Sequence, residues 1–192
     1  GVSSAASDVY KRQLQDSFAT VWMNPSDGSD AFGATEGEKW DTGFSAWAYA
    51  RAMGSAGPGA IADAHCTSMF EVPMEIDEVS RLKGSICLMG HASIPGTYVD
   101  CMIQRVDGEG SEMEILENLL VVSCEPDQQQ CPMNCIEFDI FVEPGQYRFL
   151  GIARADVQHA AAGHLEAWAE YSMELDIQGL PEPDLDGDGD ID

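Results

Sequence analysis

The chain has 192 residues and a formal net charge of −25, from 34 acidic residues against 9 lysines plus arginines. A surface this acidic repels phosphate backbones and anionic membrane faces, so nucleic acid and lipid are poor partners; it suits divalent cations or a salty medium. No apolar run approaches the ~18 residues of a membrane span, and the length is enough for one domain with a sizeable core.

Residues 1–13, GVSSAASDVYKRQ, are polar and aperiodic and form a non-native or disordered tail. Phe18 to Met23 reads as a short strand. Asn24 to Glu38 is rich in Gly, Ser and Asp and reads as a loop. Then Phe44, Ala46, Ala48, Ala50 and Ala52 alternate with Ser45, Trp47, Tyr49, Arg51 and Met53. An all-alanine face predicts close approach by another layer. Helix is the rival reading, since Ala favours it, but Gly54 to Gly59 ends the run abruptly. Ile61 to Val72 continues in the same style, with Ala62, Ala64, Cys66, Ser68 and Phe70 on one face, and Pro73 stops it.

Val79 to Gly90 places Leu82, Gly84, Ile86 and Leu88 inward, and Tyr98 to Val106 does the same for Val99, Cys101 and Ile103. Glu112 to Ser123 admits a short amphipathic helix or a strand, and the strand is preferred. Cys135 to Asp156 is the strongest local pattern. Ile136, Phe138, Ile140 and Val142 alternate with acids and Phe141, and Tyr147, Phe149, Gly151 and Ala153 alternate beyond Pro144-Gly145. Folded as a hairpin, this pairs Val142 with Tyr147 and Ile140 with Phe149 on one face. An L-Pro-Gly turn conflicts with the mirror-type turns of tight hairpins; a four-residue loop from Glu143 to Gln146 keeps the register. The last strand runs from Leu165 to Ile177 with Glu166, Trp168, Glu170, Ser172, Glu174 and Asp176 on its other face. About nine strands separated by turn signals predict an antiparallel β-sandwich of jelly-roll type over residues 14–178, with a closed barrel as the alternative. Residues 179–183 form a Pro-rich linker.

Six cysteines, at 66, 87, 101, 124, 131 and 135, with no cofactor motif beside them, point to disulfides and an oxidising compartment. A turn centred on Ile94 would set Cys87 opposite Cys101, so that bridge is expected. Cys124 is expected to join Cys131 or Cys135. Their spacing lacks the paired knuckles of a zinc site. The histidines at 65, 91, 159 and 164 are scattered and read as surface or core residues. No nucleophile elbow, phosphate loop or dinucleotide fingerprint is present. Trp47 and Trp168 lie opposite the alanine-rich faces; exposed, they would make a sugar-stacking platform, and covered by a second layer they would be core.

Two short stretches resemble known sequences. Asp8-Val9-Tyr10-Lys11-Arg12-Gln13 resembles the translation of a transposon-end adaptor used in sequencing libraries, which implies that the lack of a leader says nothing against secretion. The C-terminal Asp184, Asp186, Asp188, Asp190 and Asp192, with Gly189 at position six and Ile191 at position eight of a calcium loop, resemble the first repeat of a type I dockerin. The resemblance implies calcium, with Asp184, Asp186 and Asp188 as side-chain ligands, Asp190 giving its backbone carbonyl, and Asp192 acting directly or through water. It also implies a cohesin-like or cell-surface partner for the parent protein. The bidentate acid of position 12 would be residue 195, past the last residue here, so calcium affinity no better than millimolar is expected. Together these features predict a non-catalytic, extracellular structural or adhesive module. A carbohydrate-binding module is the alternative, and a glycan-acting enzyme comes third.

Overall fold

The structure is a computed structural model that describes residues 18–25, 29–56, 62–92, 96–108, 113–124, 130–159 and 163–180. Ten strands follow one another: β1 (Phe18–Pro25), β2 (Ser29–Trp40), β3 (Gly43–Ala56), β4 (Ala62–Ile76), β5 (Ser80–Ala92), β6 (Tyr98–Asp107), β7 (Glu114–Cys124), β8 (Gln130–Val142), β9 (Gly145–His159) and β10 (Gly163–Gly179). They form two five-stranded sheets, sheet A in the order β1-β4-β9-β6-β7 and sheet B in the order β2-β3-β10-β5-β8. Every pairing is antiparallel. Within them, β3-β10-β5-β8 faces β4-β9-β6-β7, which is jelly-roll wiring, and β1 and β2 each extend one sheet by a strand.

Period-two alternation sets the core. Phe44 to Ala52 of β3, Ala167 to Ile177 of β10, and Leu82, Ile86 and Leu88 of β5 point inward from sheet B. Ala64 to Ile76 of β4, Tyr147 to Val157 of β9, and Val99, Cys101 and Ile103 of β6 answer from sheet A. β3 lies against β4 and β9 of the other sheet. The alanines of β3 are nearly all fully buried there, because side chains this small let the two layers approach.

Four expectations need correction. The first is the hairpin. β8 pairs with β5 in sheet B, and β9 pairs with β4 and β6 in sheet A. Glu143 and Pro144 therefore arch from one sheet to the other, and Ile140 lies opposite Leu82 rather than Phe149. Both strands still point their apolar rows at one core, so alternation alone could not separate the two wirings. The second correction follows from the same geometry. β5 and β6 also lie in different sheets, so Cys87 and Cys101 are not neighbours. Cys87 sits opposite Cys135 and is bridged to it, and Cys124 is bridged to Cys131. Cys66 and Cys101 are buried free thiols, and burial raises the pKa of both, which keeps them protonated.

The third concerns residues 24–38. The loop composition there builds an edge strand, β2, which raises the strand number to ten. Gly37 serves packing: a Cβ there would run into the Phe70 ring of sheet A. The fourth is Pro73, which does not end its strand. β4 continues to Ile76, and Pro73 keeps its place in the register opposite Arg148 of β9.

Candidate functional site

The outer face of sheet B departs from a plain solvated surface. Its register aligns side chains in rows that cross all five strands. One row is Glu38, Ser45, Glu174, Ser85 and Glu137, taken from β2, β3, β10, β5 and β8 in turn. The next row toward the C-terminal end of β3 holds Glu36, Trp47, Ser172 and the Cys87–Cys135 bridge. On the other side lie Trp40, Gly43, Asp176, Lys83 and Asp139. Serines at 45, 85 and 172 are short, so the middle of the face sinks between taller walls. The result is two depressions, of about 350 Å³ and about 670 Å³, that share Ser85 and Glu174 as lining residues. Five strands at ~4.8 Å spacing make the trough roughly 19 Å long across the sheet.

An aromatic strip meets the trough at Trp47 and leads away from it. Trp47 and Tyr49 follow one another on the outer side of β3, with ring planes 5° apart and centroids 6.3 Å apart. Phe32 of β2, more than half exposed, extends the strip to Tyr49 at 6.1 Å. The Trp47 indole Nε1 donates to Glu170 Oε1 at 2.7 Å, and Trp40 Nε1 donates to Asp176 Oδ1 at 2.8 Å. A charge-assisted bond of this kind fixes ring orientation while leaving the rest of the ring surface unclaimed. Burial raises the Tyr49 pKa, so its hydroxyl stays a donor. At the β8 end, Arg81 donates Nε and Nη2 to the two carboxylate oxygens of Asp139, each at 2.5 Å, and this bond holds the Asp139 carboxyl below its usual range. The Arg81 guanidinium also lies over the Phe141 ring.

Trp47 and Trp168 thus share this outer face, each half-buried, and neither belongs to the core. Trp168 stands opposite Arg51 and His91, two rows from the row of Trp47. Trp22 is on β1, opposite Thr67. Asp184, Asp186, Asp188, Asp190 and Asp192 lie outside the described residues, as do residues 1–13. Among the described residues no three His, Cys, Asp or Glu side chains come together as a metal site requires. The thiols of Cys124, Cys131 and Cys135 are consumed in disulfides.

A second constellation was not visible in the sequence. On the outer face of sheet A, His65 Nδ1 meets Asp156 Oδ1 at 2.5 Å, and Thr67 Oγ1 meets His65 Nε2 at 2.9 Å. Arg154 binds the other oxygen of Asp156 with Nε and Nη2. Hydroxyl, imidazole and carboxylate in series have the connectivity of a nucleophilic triad. Both strands, however, are inner strands of sheet A, paired on each side, so their amides serve the ladder and do not line an oxyanion hole. The chain of bonds ties β4 to β9, since His65 and Asp156 are register partners.

Several solved structures resemble the fold at low identity. A carbohydrate-binding module of the β-sandwich superfamily, from work on promiscuous specificity, is 10% identical with a TM-score of 0.33; the match covers 84% of this chain and 56% of that one. This chain therefore spans just over half the length of that protein. The family 11 carbohydrate-binding module of Clostridium thermocellum, solved with a β-1,3-1,4-mixed-linked tetrasaccharide, is 11% identical with a TM-score of 0.30, covering 88% and 96% of the two chains. A structure of the infectious bursal disease virus Gt strain is 12% identical with a TM-score of 0.29, covering 83% and 33%. No protein-family model matches the chain, and no curated protein matches it. Likeness at this distance carries no information about a ligand.

Proposed function

We propose that the chain is a non-catalytic, extracellular glycan-binding module and that the outer face of sheet B is its binding surface. One observation carries the reading: Trp47, the first ring of the Trp47–Tyr49–Phe32 strip, lines a trough of alternating carboxylates and serines, on a sheet whose inner side is used as core. A pyranose ring has an apolar C–H face and a rim of hydroxyls. The face stacks on an indole, while hydroxyls donate to carboxylates and accept from serines. The trough carboxylates Glu36, Glu38, Glu137 and Glu174 are exposed. A glycosidase's general acid sits in an apolar enclosure, and these carboxylates stand open to solvent, which favours binding over hydrolysis. Two disulfides favour an oxidising compartment.

Affinity electrophoresis against a panel of soluble polysaccharides tests the proposal. Trp47→Ala is expected to weaken the bound glycan by about 2 kcal/mol, roughly thirtyfold, as for a central aromatic anchor. Val121→Ala, on the exposed side of β7, is expected to change nothing. Retardation by no polysaccharide, or retardation indifferent to Trp47→Ala, overturns it.

We carry the Asp184–Asp192 run into the same proposal as a calcium-binding element of the parent protein, on its short carboxylates at alternate positions. Isothermal titration is expected to show weak calcium binding that Asp184→Ala or Asp188→Ala removes. Heat unchanged by both substitutions would make the run a solvated tail.

A further inference from the structure

The trough has a period of its own. Along its central row, carboxylates stand on every second strand, Glu38 on β2, Glu174 on β10 and Glu137 on β8, with Ser45 and Ser85 between them. We infer that the glycan taken by this face is amine-bearing, a β-1,4-linked chain of protonated amino sugars lying across the strands; the inference rests on the glycan-binding reading above. Alternate strands are ~9.6 Å apart, close to the ~10 Å that two units of a flat β-1,4-linked chain span, after which substituents return to the same side. An amine on every unit would thus present itself to the sheet once per carboxylate.

Charge points the same way. Glu36, Glu38, Glu137 and Glu174 are exposed, and no ion pair or side-chain hydrogen bond among the described residues occupies them. Asp139 is already held by Arg81, and Asp176 by the Trp40 indole. Lys83 is the one basic side chain lining the two depressions. A neutral sugar leaves these carboxylates repelling one another across the trough, and a uronic or sulfated sugar adds to the repulsion. An ammonium group relieves it and also gains from the Trp47 ring face beside it. Serine hydroxyls between the carboxylates serve the sugar hydroxyls of the intervening units.

The test uses short oligomers, so that the overall charge of −25 does not substitute for a site. A glucosamine tetramer, its fully N-acetylated counterpart and a uronic acid tetramer are titrated at about pH 6, where a sugar amine is protonated. The glucosamine tetramer is expected to bind at least about tenfold tighter than the acetylated one, as a few partly exposed ion pairs allow, and the uronic tetramer not at all. Glu38→Gln/Glu137→Gln/Glu174→Gln is expected to abolish the preference. Glu75→Gln/Glu114→Gln/Glu117→Gln, which removes equal charge from sheet A, is expected to keep it. Equal or tighter Trp47-dependent binding of the acetylated or uronic tetramer overturns the inference and leaves the glycan-binding reading standing. A preference that survives the trough triple, or falls equally in both triples, is bulk attraction and also overturns it. No binding of any tetramer, together with no retardation by any polysaccharide, removes both.

Discussion

Replacing Cys87 and Cys135 together by serine is expected to lower the melting temperature by about 8–16 °C, from a loss of about 4 kcal/mol in a domain of this size. The bridge spans a sequence separation of 48 and closes a loop that begins in β5 and returns in β8. Closing so long a loop in the unfolded chain removes much of its freedom. The native side of the argument points the same way. Among the described residues β8 is an edge strand held by β5 alone, and the β5–β8 register slips between Leu88 and Gly90, just past the bridge. Cys135, Asn134 and Met133 are exposed there, and Cys131 supplies the burial shown at that end of the strand. Cys124–Cys131, with a separation of only 7, is expected to contribute about 2.5 kcal/mol by the same reasoning. Calorimetry of the two double-serine variants under non-reducing conditions ranks them. If the short bridge costs as much as the long one, chain entropy is not what the long bridge supplies.

The order of these effects could not have been read from the sequence, because the partner of Cys87 could not. Alternation fixed which way each residue points. Leu82, Ile86, Phe149, Ala153, Tyr171 and Leu175 all face inward as their period requires. It did not fix which strand lies beside which. In a sandwich, both arms of an arch aim their apolar rows at the same core, just as both arms of a hairpin do. Val142 and Tyr147 are buried under either wiring. The conflict between Pro144-Gly145 and the mirror turns of tight hairpins was the available signal, and a longer loop was the wrong way to resolve it. β2 was hidden for a different reason. An edge strand with one neighbour needs few apolar residues, and Gly37, which allows close approach to Phe70, looks like a loop glycine.

The site was legible to a similar depth. That Trp47 and Trp168 lie opposite the alanine faces follows from period two alone. That Glu38, Ser45, Glu174, Ser85 and Glu137 form one row does not. The row depends on the order β2-β3-β10-β5-β8, four pairings of which only β2–β3 joins strands consecutive in sequence. The Thr67–His65–Asp156 chain has the same origin, since β4 and β9 are ninety-odd residues apart at that point. Chemistry assembled across a sheet is invisible to any window that slides along the chain.

Gly151→Ala is expected to destabilise the protein by about 3 kcal/mol, the upper range for an overpacked core, and to lower its melting temperature by about 6–12 °C. Gly151 lies on β9 between Phe70 of β4 and Cys101 of β6. Directly above it, Tyr171 of β10 crosses the gap from sheet B, fully buried, with its ring edge-on to Phe149 at 6.1 Å. A Cβ on Gly151 would collide with the Cζ and hydroxyl oxygen of Tyr171. Neither partner can retreat, since β9 and β10 are inner strands of their sheets and the space around the ring is filled by core. The Tyr171 hydroxyl makes no hydrogen bond of full geometry among the described residues, the nearby Phe70 backbone pulling its pKa down only weakly, and burial drives that pKa far above the ordinary tyrosine value. Tyr171→Phe alone is therefore expected to be neutral or to stabilise by about 1 kcal/mol, because it removes a buried polar atom that gains nothing in the fold. Gly151→Ala/Tyr171→Leu is expected to cost less than the two single changes added together, because the shorter side chain vacates the space the new methyl takes. Chemical denaturation of the parent, Gly151→Ala, Tyr171→Leu and the double variant closes the cycle, with Tyr171→Phe measured beside them. Additive costs would show that the collision is relieved by the sheets moving apart, and a destabilised Tyr171→Phe would show that the hydroxyl has a partner after all.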